Sequence, residues 1–176
     1  MRTGRQLSFV FDNSTSADAF GDSDDEARSL LFIPDGPNDP RVAFAPGFDQ
    51  DAFFNFINEN DLDQFAGQIL EGGLFTQPTN ADLDLRFSQE LPVPVFTGHK
   101  VEFSVNFENF LNFISSGAGV QRFVDTSNTA EGIDVVGATI VDGQFLFDDL
   151  NTNPIDIDVD TNDTLWRIQF GVKYRF

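Results

Sequence analysis

A chain of 176 residues, 40% of them apolar, has enough hydrophobic side chains for one folded domain and too many for a disordered segment. It contains no run of about eighteen apolar residues, which excludes a helical membrane protein, and no cysteine, which excludes disulfides and thiolate metal sites. The net charge of −19 argues against a nucleic-acid partner, because the phosphate backbone attracts Lys and Arg.

Four segments alternate apolar and polar residues, the pattern of a β-strand with two different faces. In chain order they are residues 5–12, 83–91, 101–111 and 164–176. The last segment is the most regular, since the alternation continues through its final residue. One of its faces carries Trp166, Ile168, Phe170, Val172, Tyr174 and Phe176, and the other carries Arg167, Gln169, Gly171, Lys173 and Arg175.

The connections between these strands differ greatly in length. Residues 92–100 form a short turn containing Pro and Gly, whereas the other two connections, residues 13–81 and 112–163, far exceed the usual length of about two to six residues. The first long connection predicts one broken or two short amphipathic helices after an N-cap at Asp49, and the second predicts a hairpin at Asp142-Gly143. Together they hold 23 of the 29 acidic residues and three of the ten basic ones.

Two-faced strands with a short turn at one end and long loops at the other are typical of an outer-membrane β-barrel. The sequence therefore predicts an all-β fold in which about four antiparallel strands form part of a transmembrane barrel wall. Trp166 would lie near one membrane interface, and Tyr174 and Phe176 near the other. A soluble β-sandwich also alternates, because its strands bury one face, and it remains the alternative.

The polar faces of the predicted strands carry charges of both signs. Neighbouring strands bring such residues within reach of each other, so we predict cross-strand ion pairs rather than a substrate path. The residues concerned are Arg86, Glu90, Glu102, Glu108, Arg167, Lys173 and Arg175.

Two acidic stretches are candidate cation sites, because carboxylate oxygens suit calcium. The first contains Asp156, Asp158, Asp160 and Asp163, but an EF-hand loop starting there would need Gly and Glu where the chain has Thr161 and Arg167. The second is GDSDDE, residues 21–26. A solvated acidic loop is the favoured interpretation of both.

His99 is the only histidine in the sequence. Any zinc site or Ser/His/Asp arrangement would depend on this one residue. We therefore predict neither an enzyme nor a metal or other cofactor.

Several segments, taken in order, resemble the C-terminal portion of an Oar-like TonB-dependent receptor. They are LLFIPDGPNDPRVAFAPGFDQDAFFNFI, LDLRFSQELP, GHKVEFSVNFENFLNF, GVQRF and LWRIQFGVKYRF, which together cover essentially the whole chain. The resemblance implies a protein of the cell outer membrane surrounded by lipid. It also implies that the alternating residues from Trp166 to Phe176 carry the signal read by the barrel-assembly machinery.

Full-length members of this group have a plug, a TonB box and about twenty-two strands. On this resemblance residues 1–176 would be a fragment of the barrel domain, and TonB would be contacted only through the missing N-terminal part. The intact receptor would import a large nutrient, while this portion closes the barrel. A stand-alone secreted or surface β-protein that binds a partner or a divalent cation through its acidic loops is the alternative.

The resemblance also implies a topology. If the C-terminus is periplasmic, the turn at 92–100 is periplasmic and both acidic loops are extracellular. LLFIP, residues 30–34, is then a strand within the first extracellular loop, with a six-strand wall as the alternative.

Overall fold

The computed structural model describes residues 4–12, 29–126 and 132–176. The chain divides into two compact units, which we call the core unit (Arg5–Gln77 and Val124–Asp156) and the sheet unit (Pro78–Phe123 and Ile157–Phe176). Strands predominate, as the sequence predicts. In chain order the elements are β1 (Gln6–Phe11), β2 (Val42–Phe44), α1 (Gln50–Glu59), a 3₁₀ turn (Asp63–Phe65), β3 (Phe75–Thr76), β4 (Leu85–Pro92), β5 (Lys100–Glu108), α2 (Phe110–Ile114), β6 (Arg122–Val124), β7 (Gly132–Val141), β8 (Gln144–Leu150), β9 (Ile157–Val159), α3 (Thr161–Thr164) and β10 (Arg167–Arg175).

The core unit contains a five-stranded mixed sheet in the order β2-β8-β7-β1-β3. β7 and β8 form an antiparallel hairpin across Asp142 and Gly143, both with positive φ, which confirms the predicted turn. β1 lies parallel to β7, and β2 lies parallel to β8, so the expectation of purely antiparallel strands is wrong for this unit. Parallel neighbours require long connections, and the long loops of this chain provide them.

Helix α1 packs against the sheet of the core unit. The carboxylate of Asp49 accepts a hydrogen bond from the backbone N of Ala52 at 3.0 Å, which confirms the predicted N-cap. Phe53 and Ile57, one turn apart, are both buried, and the ring of Phe53 lies 5.5 Å from that of Phe147 on β8. The predicted second helix is reduced to the 3₁₀ turn that follows.

Strand β1 is not a wall strand, and this sequence prediction was wrong. It pairs with β3 and β7 inside the core unit and has no place in the sheet that contains β4, β5 and β10. Leu7, Phe9 and Phe11 are buried on one face, but Val10 on the other face is buried too. A strand that is covered on both sides needs no polar face. The short alternation of apolar residues in β1 therefore does not indicate a strand that faces lipid.

The LLFIP segment also belongs to the core unit. Leu31, Phe32 and Ile33 are buried in the same core as β1. Isolated bridges join Leu30 to Val10 and Phe32 to Ile69. A wall of six strands that includes this segment is therefore wrong, while the acidic stretch at residues 21–26 lies outside the described residues.

Gly132 allows β1 and β7 to approach each other. A Cβ at this position would lie 2.5 and 2.9 Å from the two methyl carbons of Val10. We expect Gly132→Ala to destabilise the core unit by about 1–3 kcal/mol, because the packed core must shift to admit the methyl group. Amide hydrogen exchange of β1 and β7 in urea measures this loss.

Two further variants identify the cause of that loss. Adding Val10→Ala to Gly132→Ala should recover part of the stability, because the clashing methyl groups are removed. Gly117→Ala, whose Cβ would meet nothing within 4 Å, should be nearly neutral. Equal losses for Gly117→Ala and Gly132→Ala would contradict the packing explanation.

The sheet unit is built on an antiparallel sheet in the order β10-β5-β4. β4 and β5 are joined by the predicted turn, where the backbone N of Val93 donates to the carbonyl of His99 at 2.9 Å. β5 and β10 pair over nine residues, from Arg167 opposite Glu108 to Arg175 opposite Lys100. β6 and β9 form a separate two-stranded sheet.

Candidate functional site

One face of the three-stranded sheet is almost entirely apolar and is exposed. Gln89 is the single residue with a polar side-chain amide among the residues of this face. Phe170 is 76% exposed and Val172 is 70% exposed, whereas every fully buried hydrophobic side chain among the described residues belongs to the core unit. The cross-strand rows of this face are Leu85, Phe107 and Ile168; Phe87, Val105 and Phe170; Gln89, Phe103 and Val172; and Leu91, Val101 and Tyr174.

The opposite face of the same sheet is polar and ion-paired. Glu90 on β4 accepts from Lys100 at 2.5 Å and from Arg175 at 3.2 Å, so one carboxylate links all three strands. Arg175 also pairs with Glu102 at 2.9 Å. A weaker pair joins Arg167 to Glu108 at 3.5 Å near the other end. The predicted cross-strand ion pairs are thus confirmed for Glu90, Glu102, Glu108, Arg167 and Arg175.

Aromatic side chains cluster at the turn end of the sheet. The ring of His99 lies 5.2 Å from that of Phe96 and 5.6 Å from that of Tyr174, and His99 Nδ1 forms a hydrogen bond with the Tyr174 hydroxyl. Phe176 lies 6.2 Å beyond Tyr174. The only histidine is therefore engaged in packing the C-terminal end of β10 onto the turn.

A second aromatic cluster lies at the opposite end of the sheet. The ring of Phe113 in α2 contacts that of Trp166 at 5.2 Å and that of Phe107 at 6.0 Å. Trp166 and Tyr174 are eight residues apart along the chain, which corresponds to about 27 Å of extended strand. The two clusters therefore bracket the apolar face.

The six residues of the predicted assembly signal lie on the apolar face or in the aromatic clusters at its two ends. Ile168, Phe170, Val172 and Tyr174 lie on the apolar face of β10. Trp166 precedes the strand and Phe176 follows it, and each belongs to one of the aromatic clusters.

Asn109 ends β5 and holds the chain there through side-chain hydrogen bonds. This role was not predicted from the sequence. The backbone of Asn109 is left-handed, with φ of 48°, so the strand ends at Glu108 instead of at the predicted residue 111. Its side-chain Nδ2 donates to the carbonyls of Gly119 at 2.7 Å, Thr164 at 2.8 Å and Asp163 at 3.2 Å. The available signal was the residue type, since Asn tolerates the left-handed region better than most residues.

A cavity of about 230 Å³ lies beside Asn109 and opens to solvent. Its walls include Arg167 and four carboxylates, from Asp82, Asp84, Glu108 and Asp163. One oxygen of Asp84 accepts from the backbone N of Asn109 at 2.9 Å. The loop end of the sheet is therefore acidic on the side of the polar face.

The four aspartates predicted to bind an ion have separate positions. Asp160 caps the short helix α3 by accepting from the backbone N of Asn162 and of Asp163. Asp158 lies on the exposed strand β9, and the carbonyl of Asp156 accepts from Asp125. In the described ranges no three His, Asp or Glu side chains are placed to hold a metal ion together. The structure thus gives the calcium hypothesis no support.

Comparison with known proteins gives no family for this chain. No protein-family model matches it, and neither a curated protein nor a solved structure is similar to it at a significant level. Across residues 4–12, 29–126 and 132–176, no helix has the length and apolar character needed to cross a bilayer. The functional interpretation therefore depends on the geometry of the sheet unit.

Proposed function

We propose that β4, β5 and β10 are wall strands of an outer-membrane β-barrel, and that the chain is the C-terminal barrel portion of an Oar-like TonB-dependent receptor. The exposed apolar face of the sheet is the observation that carries this proposal. Lipid would remove that face from water, and the ion-paired polar face would line the barrel interior. In that receptor the role of this chain is structural, because it supplies strands of the barrel wall.

The dimensions of the sheet support this proposal. Its strands have eight, nine and nine residues, close to the roughly 9–11 residues with which a tilted strand crosses a bilayer. Aromatic residues at both ends of an apolar band are typical of barrels, whose lipid-exposed band is about 25 Å tall. The outer edges of β4 and β10 have no strand partner among the described residues, so further strands would be needed for closure.

The core unit fits a position outside the membrane. It contains a water-excluding hydrophobic core, and its two chain segments carry 21 of the 29 acidic residues but only three of the ten basic ones. In the proposed topology the turn at 92–100 is periplasmic and both acidic loops are extracellular. The alternating residues from Trp166 to Phe176 would then present the assembly signal, and import and TonB contacts would belong to other parts of the receptor.

Detergent dependence tests the proposal. The purified chain is analysed by size-exclusion chromatography with light scattering, once in water and once in detergent. We expect aggregates in water and a monodisperse complex in detergent, because the exposed apolar face associates with itself when no lipid covers it. Replacing Phe170 and Val172 with Thr, which favours strands but is more polar, should lessen the detergent requirement.

The self-contained core of the core unit favours a second candidate, the stand-alone surface β-protein that acts through its acidic loops. That protein would be monomeric and would unfold cooperatively without detergent. This result would overturn the receptor proposal. Calorimetric titration with calcium and with a basic peptide would then be the next measurement.

A further inference from the structure

The short helix α2 is joined to the apolar face of the sheet. Phe107 belongs to that face, and its ring lies 5.5 Å from Phe110 and 6.0 Å from Phe113. Phe110 and Phe113 stack on each other at 5.8 Å, and Phe113 meets Trp166 edge-on at 5.2 Å. The aromatic surface thus continues from β5 through α2 to the start of β10.

This continuation is itself exposed and uncharged. Ile114 is 67% exposed, while Phe113 and Trp166 are each almost half exposed. Phe110, Phe113 and Ile114 share one face of the helix by their spacing of three and four residues. The helix sequence FLNFI carries no charge.

Asn109 fixes where this helix lies. A helix of five residues is too short to be stable on its own. The left-handed backbone of Asn109 turns the chain out of β5, and its Nδ2 is held by three carbonyls from two other segments. The position of α2 is therefore set by this residue and by the aromatic contacts.

The same end of the sheet is polar on its other side. Glu108 and Arg167, opposite each other in the register, lie on the polar face and line the acidic cavity. The apolar surface of α2 and the acidic cavity thus repeat, beyond the strand ends, the two-sided character of the sheet. Such an arrangement fits the boundary between water and hydrocarbon, where Trp side chains are enriched.

We propose that α2, with Trp166, is an anchor that inserts into the headgroup–acyl boundary of the bilayer and sets the depth of the sheet. This inference rests on the proposed function, because it requires the apolar face to meet lipid. The partner is the lipid bilayer itself. Asn109 acts as a positioning residue for the anchor.

Site-directed fluorescence tests the anchor in the chain of 176 residues. Because the protein has no cysteine, Ile114→Cys, Phe170→Cys and Gln169→Cys each provide one labelling site for an environment-sensitive dye. The labelled chains are placed in phosphatidylcholine vesicles whose lipids carry a quencher either near the headgroup or deep in the acyl chain. Trp166, the only tryptophan, gives an unlabelled reading at the same interface.

We expect the dye at Ile114→Cys, and Trp166 itself, to be quenched mainly by the shallow quencher. The dye at Phe170→Cys should be quenched mainly by the deep one, and the dye at Gln169→Cys on the polar face by neither. If Phe170→Cys is quenched and Ile114→Cys is not, the anchor is wrong while the barrel proposal stands. If neither is quenched, the barrel proposal fails as well.

The role of Asn109 has its own readout. Asn109→Gly keeps access to the left-handed backbone but removes the side chain, so the chain turn survives while the three hydrogen bonds are lost. In this variant we expect the Ile114→Cys dye to lose most of its shallow quenching, with the Phe170→Cys dye unchanged. Unchanged quenching at both sites would exclude Asn109 as the positioning residue.

Discussion

Phe170→Arg should abolish most bilayer insertion of the sheet unit. Phe170 lies near the middle of β10, 76% exposed, in one row with Val105 and Phe87. An arginine on the lipid face costs about 2–4 kcal/mol near the membrane midplane, which is a large part of the stability of a small barrel segment. Urea unfolding of the vesicle-bound chain, monitored through the fluorescence of Trp166, measures the loss of stability in the bilayer.

The matched control is Gln169→Arg, one residue away on the same strand. Gln169 is opposite Asn106 on the polar face, where the side chains already include several arginines and lysines. We expect this variant to insert nearly as well as the unmodified chain, because its new charge faces away from lipid. If the two arginines had the same effect, the assignment of the two faces to lipid and interior would be contradicted.

The three strands of the main sheet in the sheet unit could be predicted closely from the sequence, because the residues that define each strand are adjacent in the chain. The alternation in β4, β5 and β10 fixes which side chains share a face, and the register of the structure places those faces together. The hairpin at Asp142-Gly143 and the N-cap at Asp49 were predictable for the same reason. Each depends on the conformational preference of one or two residues.

The strand order of the core unit could not be predicted, because the strands that pair in it are far apart along the chain. β1 finds its parallel partner β7 more than a hundred residues along the chain, beginning with Ser8 opposite Gly132. A six-residue strand with apolar residues at alternate positions suits either a buried sheet or a two-faced one, and Val10 was the single sign of burial on both faces. The end of β5 was predicted too late in the chain. The left-handed backbone of Asn109 ends the strand, and the residue type alone does not show that conformation.

Asp39→Asn should cost the core unit about 3 kcal/mol, since it disrupts a buried, charged hydrogen-bond acceptor. The Asp39 side chain is fully buried and accepts from the backbone N of Asp35 at 2.8 Å and of Arg41 at 2.9 Å. It also accepts from the Arg41 side chain at 2.8 and 2.9 Å, and Arg41 in turn donates to the carbonyl of Gly67 at 2.9 Å. Amide hydrogen exchange in urea, read at β7, measures the loss.

Asp35→Asn is the control for that loss. Its side chain is 62% exposed and meets Arg41 at 2.7 Å, so we expect an effect below about 1 kcal/mol. A loss as large as that of Asp39→Asn would show that the charge of the cluster matters more than the buried acceptor.

The stabilising effect of Asp39 should also depend on pH. The hydrogen bonds from the Arg41 side chain hold the pKa of Asp39 well below its ordinary value of 3.8, against the opposing effect of burial. Because the folded pKa lies below the unfolded one, this contribution is complete above the unfolded value and is lost as the pH falls below it. The stability difference between the unmodified chain and Asp39→Asn should therefore be constant from pH 7 to about pH 5 and should shrink progressively below about pH 4. Comparison with Asp39→Asn isolates this effect from the many other carboxylates that titrate in the same range, and a difference that stayed constant down to pH 2 would rule out the charged form of Asp39 as its source.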